Sequence, residues 1–119
     1  MKFILHVLAA FMVLLGAQQA SAQSNYPNRA VRILVGFTPG TAPDLAARIL
    51  ANKFAEDWGT LFLVENVPGA GSNIATDRVA KATADRYTLL MGGNPSLVIS
   101  PSLYVKLPYD PVKDFAPIS

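Results

Sequence analysis

The 119-residue chain contains no cysteine, one histidine and one tryptophan. Without cysteine there are no disulfides, no thiol nucleophile and no thiolate metal ligand. The single histidine, His6, lies in an N-terminal segment that reads as removable. The rest of the chain therefore has no imidazole, which excludes a histidine general base and most zinc sites. Charge of either sign is also scarce, with a net value of +2. Arg29, Arg32, Arg48, Lys53, Arg78, Lys81, Arg86, Lys106 and Lys113 are scattered, and Tyr and Phe do not interleave with them. No nucleic-acid surface is expected from such a distribution.

Long apolar runs are confined to the start of the chain. "MKFILHVLAAFMVLLGAQQASA" has a basic Lys2, an apolar run from Phe3 to Leu15, and Ala20, Ser21 and Ala22 in the small-residue pattern. This predicts a secretory signal peptide over residues 1–22, cleaved after Ala22, and export to the periplasm. The run falls short of the roughly 20 apolar residues that a membrane span needs, so the mature chain is not expected to be membrane-embedded. Setting 22 residues aside from 119 leaves 97, enough for one small domain.

Within that remainder, "AVRILVGF" (30–37) is β-branched and apolar, and it stops at "TPGTAPD". It reads as a buried strand followed by a loop. From Asp44 the period changes, with Ala46, Ile49, Leu50 and Phe54 spaced as the buried stripe of an amphipathic helix that Gly59 ends. "LFLVE" (61–65) predicts a second strand, residues 73–82 a second helix with Ala75, Val79 and Ala82 on one stripe, and "YTLLMGG" (87–93) a third strand. A β-α-β-α-β order with short joints implies right-handed parallel crossovers and an α/β layered fold. Five of the nine prolines then fall in the last 26 residues, which predicts loops and short turns before "DFAPIS" opens a further apolar segment.

The strand-to-helix joints carry the chemistry. In "TPGTAPD", Thr41 is placed to cap the first helix, with Asp44 as the acidic partner of a capping box. In "PGAGSN", the glycines permit a tight turn, with Ser72 or Asn73 as the cap. Each joint presents backbone N–H groups at a helix N-terminus, which favours anions, carboxylates included. In open α/β sheets ligands sit at the carboxyl ends of the strands, where both loops and "GGNPS" (92–96) would converge. Nucleotide signatures fail, because Ile74 stands where a dinucleotide fingerprint needs a third glycine and no phosphate-loop motif occurs. A G-x-S-x-G nucleophile elbow is absent as well.

Three stretches, "VGFTPGTAPDLAAR", "VENVPGAGSNIATDRVAKATADRYTLLMG" and "PSLYVKLPYDPVKDFAPIS", resemble in order and spacing the extracytoplasmic solute receptors of tripartite tricarboxylate transporters, the Bug receptors. The resemblance implies one part of a two-lobed, type II periplasmic binding protein-like fold. Residues 23–119 would form the N-terminal part of its first, Rossmann-like lobe, truncated relative to the family. It implies a small organic acid as ligand, a membrane transporter or sensor as partner, and neither cofactor nor metal nor catalysis. The family's first ligand loop corresponds to Phe37, Thr38, Pro39, Gly40, Thr41 and Ala42, with Asp44 in the following helix. The second corresponds to Gly69, Ala70, Gly71, Ser72 and Asn73, and the third to Gly93, Asn94, Pro95 and Ser96. Departures from the family pattern are Thr41, Ser72 and the Asp85–Arg86 turn, each where glycine is usual, and a left-handed Arg86 is expected to be strained. The alternatives are a non-binding fragment or interaction module, and a secreted α/β enzyme.

Overall fold

Three short β-rich segments pair into one parallel sheet in the computed structural model, which describes residues 26–119. The signal segment assigned to residues 1–22, with its cleavage point, lies outside the described residues. The strands are β1 (Val31–Val35), β2 (Phe62–Asn66) and β3 (Thr88–Met91), in the order β2-β1-β3. Helix α1 (Ala42–Trp58) joins β1 to β2, and α2 (Asn73–Ala80) joins β2 to β3. β1 and β3 are shorter than the apolar runs suggested, while β2 keeps the expected five residues shifted by one, from Phe62 to Asn66. The register sets Ile33 beside Val64 on one side and Leu89 on the other.

Strand alternation explains the core. Val31, Ile33 and Val35 share one face with Phe62, and α1 covers it through Ala47 and Ala51. Arg32 and Leu34 point the other way, and only Leu34 is buried. With β1 central, right-handed crossovers to β2 and back to β3 put the two helices on opposite faces. Helix α2 accordingly contributes a separate buried pair, Ala75 and Thr76.

The buried stripe predicted for α1 is wrong. Ala46, Ile49 and Leu50 are exposed, Ile49 to 69%, and only Phe54 of the four packs against the core. The sheet side instead carries Asp44, Ala47 and Ala51, whose small or polar side chains let the helix axis approach β1 and β2 closely. Gly59 ends the helix as expected, in the left-handed region at φ 64°, its N–H donating to the Ala55 carbonyl at 2.9 Å. Trp58 stacks on Phe54 with ring centroids 5.1 Å apart, closing the end of the helix.

At the amino ends of the strands, Arg29 pairs with Asp85 at 2.6 Å and lies 4.1 Å above the Tyr87 ring. The turn there holds Arg86 at φ 70°, the left-handed conformation expected of it. Beyond β3 a wide turn (Pro95–Ile99) leads into the short helix α3 (Ser100–Leu103). The remaining segment, 104–119, is irregular, and no strand forms over the apolar residues 115–119. Among the described residues, no helix is long and apolar enough to cross a membrane.

Candidate functional site

The strand order reverses direction at β1, so the loops after β1 and β3 leave the sheet side by side at its carboxyl edge. The loop after β2 meets them there. Three close approaches record the convergence. A Cβ added at Gly36 would lie 1.8 Å from Ser72 Oγ, so the first and second loops touch where only glycine fits. A Cβ at Gly93 would lie 2.8 Å from Phe37 Cζ, joining first and third. Gly71 faces Pro95, whose Cβ would be 3.7 Å away, joining second and third.

Among the described residues, the second loop has the longest run of positive φ angles. Gly69, Ala70, Gly71 and Ser72 have successive φ values of 135°, 47°, 62° and 73°, forming a left-handed turn closed by Ser72 N–H donating to the Gly69 carbonyl at 2.9 Å. For Ala70 and Ser72 this conformation costs roughly 1–2 kcal/mol each. Such strain persists only where surrounding structure enforces it, and it concentrates at functional sites. Neither Ser72 nor Asn73 caps α2 with its side chain, contrary to expectation. Ser72 is buried beneath the turn with its Oγ unpartnered. The Asn73 side chain is engaged by Tyr109, whose hydroxyl lies 2.7 Å from Asn73 Oδ1 and 2.6 Å from the Ser96 carbonyl. Tyr109 thereby ties the second loop to the third, and burial raises its hydroxyl pKa.

The first loop is organised by a carboxylate. Thr41 occupies the N-cap position of α1, but its hydroxyl donates to the Thr38 carbonyl at 2.7 Å and makes no cap bond. Asp44 does not close the predicted capping box either. Its Oδ2 accepts from Gly40 N–H at 2.8 Å, one residue further back than Thr41. Arg48 grips it at both oxygens, Nε to Oδ2 at 3.1 Å and a terminal nitrogen to Oδ1 at 3.1 Å. Asn66, the last residue of β2, donates from Nδ2 to Asp44 Oδ1 at 2.8 Å and to the Phe37 carbonyl at 3.0 Å. These donors, Arg48 foremost, lower the Asp44 pKa from 3.8 to about 2. The carboxylate is ionised, buried and committed to protein partners, so it supports the loop from below.

The predicted site residues thus separate by depth. Thr38, Pro39, Gly40, Ala42, Gly69, Ala70, Gly71 and Asn94 form an exposed rim. Phe37, Thr41, Asn73, Gly93 and Pro95 are half-buried between the loops, while Asp44, Ser72 and Ser96 lie underneath. Sequence reasoning missed Gly36, Arg48, Asn66 and Tyr109, which act across the fold. Their only sequence signal was position, a glycine ending one strand and an amide ending another. Apart from the Asp44–Arg48 pair, the three loops carry no charged side chain. The amino end of α1 is already occupied by the protein's own carboxylate, whereas that of α2 has no acidic residue in its first turn and no side-chain cap. Such an end is electrostatically suited to an external anion.

Known proteins resemble this chain in both sequence and fold. Residues 46–119 match the model of the tripartite tricarboxylate transporter family receptor. A UPF0065 protein of Bordetella pertussis is 38% identical over 118 residues, covering 98% of this chain and 36% of the relative. Among solved structures, the periplasmic binding protein BugD superposes with a TM-score of 0.69 at 37% identity, over 78% of this chain and 31% of that one. MatC from Rhodopseudomonas palustris, solved with bound malate, gives a TM-score of 0.73 at 36% identity, over 78% and 32%. The chain spans about a third of the length of the relatives it matches. The chain belongs to the tripartite tricarboxylate transporter receptor family.

Proposed function

We propose that these loops form one wall of a periplasmic solute-binding cleft that receives a small organic carboxylate for a tripartite transport system. The observation that carries the reading is the convergence of three neutral loops around the uncapped amino end of α2. The exposed rim from Thr38 to Ala42, Gly69 to Gly71 of the left-handed turn, and Gly93 with Asn94 would supply neutral donors to the anion, with Ser72, Asn73, Pro95 and Ser96 supporting them from behind. Backbone N–H groups suit this role because each hydrogen bond to an ionised acceptor is stronger than a neutral one, and several together need no cationic side chain. MatC, a family structure with malate bound, supports a dicarboxylate as the first ligand to test.

In this proposal the facing wall comes from a second lobe, residues 23–119 contribute the start of the first, and the protein binds its ligand without transforming it. Export by the signal segment and docking to a membrane transporter or sensor belong to the same proposal. Isothermal titration with malate and other dicarboxylates tests it, on this chain and on a form extended to the length of its relatives. Binding by the extended form, with no turnover of carboxylate esters or amides, is the expected result. Failure of every carboxylate to bind the extended form would overturn the reading.

A further inference from the structure

We propose that Asn66 is the positioning residue of the first loop, acting with Asp44 and Arg48 as a clamp anchored at the end of β2. The clamp holds the loop at two points. Asn66 Nδ2 donates to the carbonyl of Phe37, the residue with which the loop begins to leave the sheet. Asp44, held by the same amide group, accepts from Gly40 N–H three residues further on. Arg48 completes the ring by donating to Asn66 Oδ1 at 3.0 Å while pairing with Asp44. Both amide hydrogens and the carbonyl of Asn66 are thereby used, and each bond crosses from β2 to another element.

The consequence reaches all three loops. Fixing the Phe37 carbonyl holds the backbone from which the Phe37 ring projects, and that ring lies against Gly93 of the third loop. Gly36, the neighbouring residue, is in contact with Ser72 of the second. The side-chain hydrogen bonds of Asn66 go to Phe37, Asp44 and Arg48, so its effect on a ligand is exerted through Phe37 and Gly40. A donor to the Phe37 carbonyl and an acceptor for the Gly40 N–H hold the two ends of a short loop in one of its many conformations, which lowers the ordering cost of binding. The inference rests on the carboxylate-receptor reading only for the identity of the ligand, since the clamp can be measured without one.

Hydrogen–deuterium exchange of the full chain, resolved by segment, provides the test. Asn66→Asp keeps the side chain's size, removes both donated hydrogen bonds and sets a second carboxylate against Asp44. Exchange over residues 37–42 should accelerate about tenfold, the scale of a single lost hydrogen bond, while Val31–Val35 retains its protection. Unchanged exchange over 37–42 would overturn the proposal, because a merely space-filling side chain tolerates the isosteric replacement. If Asn66→Asp loosens the whole sheet, Arg48→Ala decides, since Arg48 lies on the exposed side of α1. Loosening confined to 37–42 in that variant supports the clamp, and no change or sheet-wide loosening overturns it. Malate titration of the receptor-length form separates the two readings. If the parent binds and Asn66→Asp binds about tenfold more weakly, both stand; if the parent does not bind, the receptor reading fails and the exchange result alone judges the clamp.

Discussion

Gly36 and Ser72 share a space with no room for a methyl group, the tightest constraint at the carboxyl edge of the sheet. Gly36→Ala should therefore destabilise the fold by about 1–3 kcal/mol through overpacking, readable as a lower denaturation midpoint. Arg86 presents the opposite case. It holds φ 70° in an exposed turn, a conformation costing about 1–2 kcal/mol for a residue with a Cβ. Arg86→Gly should gain the balance of about 0.5–1 kcal/mol after the greater chain entropy of glycine is subtracted, which chemical denaturation would detect. Asp44 gives a pH dependence whose sign is fixed. Its folded pKa, about 2, lies below the ordinary 3.8, so its stabilisation is complete above the unfolded value and is lost as pH falls toward the folded one. Acid unfolding between about pH 4 and pH 2 should be steeper in the parent than in Asp44→Asn, and equal slopes would contradict the clamp's electrostatics. The strain at Arg86 was legible in the sequence because one side chain stood where the family pattern has glycine. The role of Asn66 was not, because its partners lie 22 and 29 residues away and nothing local distinguishes it from an ordinary strand end.

At the level of elements, the order of strands and helices could be read from periodicity and from glycine and proline punctuation. The buried side of α1 could not. Periodicity alone favoured the large side chains Ile49 and Leu50 for the core, yet the sheet accepts Ala47 and Ala51. Helix-to-sheet distance decides the matter, and distance is invisible in a pattern of apolar positions. Ala47→Leu should accordingly cost about 1–3 kcal/mol, whereas Ile49→Gln in this chain should stay within about 0.5 kcal/mol of the parent. Thermal melts of the two variants would check this, and a large loss from Ile49→Gln would show that its side chain is covered. The cap positions were similarly half-legible. Thr41 and Ser72 do precede their helices, but their hydroxyls are diverted or orphaned because Asp44 and the left-handed turn set the loop conformations first. The proline-rich tail contributes a buried anchor that composition concealed: Tyr109 reaches Asn73 at the amino end of α2, 36 residues away, and Ser96 of the third loop, 13 residues away.

For the whole molecule, the decisive facts are a sheet of three strands and an extent of about a third of its relatives. Large apolar side chains stand exposed on α1, at the end of α3 and along the final segment, Leu45, Ile49, Leu103, Val105 and Val112 among them. Patches of this kind mark surfaces that other parts of a protein or its partners cover. This chain by itself should bind an apolar dye such as ANS strongly and malate with no useful affinity, because the proposed site then has one wall and stays open to water. The family resemblance was visible in the loop motifs, since glycine, proline and small polar residues at strand ends carry the backbone geometry directly. The central claim is that this wall recognises a carboxylate through the backbone of the Gly69–Ser72 turn. Calorimetric titration of malate into the receptor-length form and its Gly71→Val variant, both shown to be folded by circular dichroism, tests it most directly. The account predicts binding by the parent and a loss of at least about a hundredfold in Gly71→Val, whose β-branched side chain suits neither φ 62° nor close approach of an anion. Equal affinity in the two proteins would contradict it.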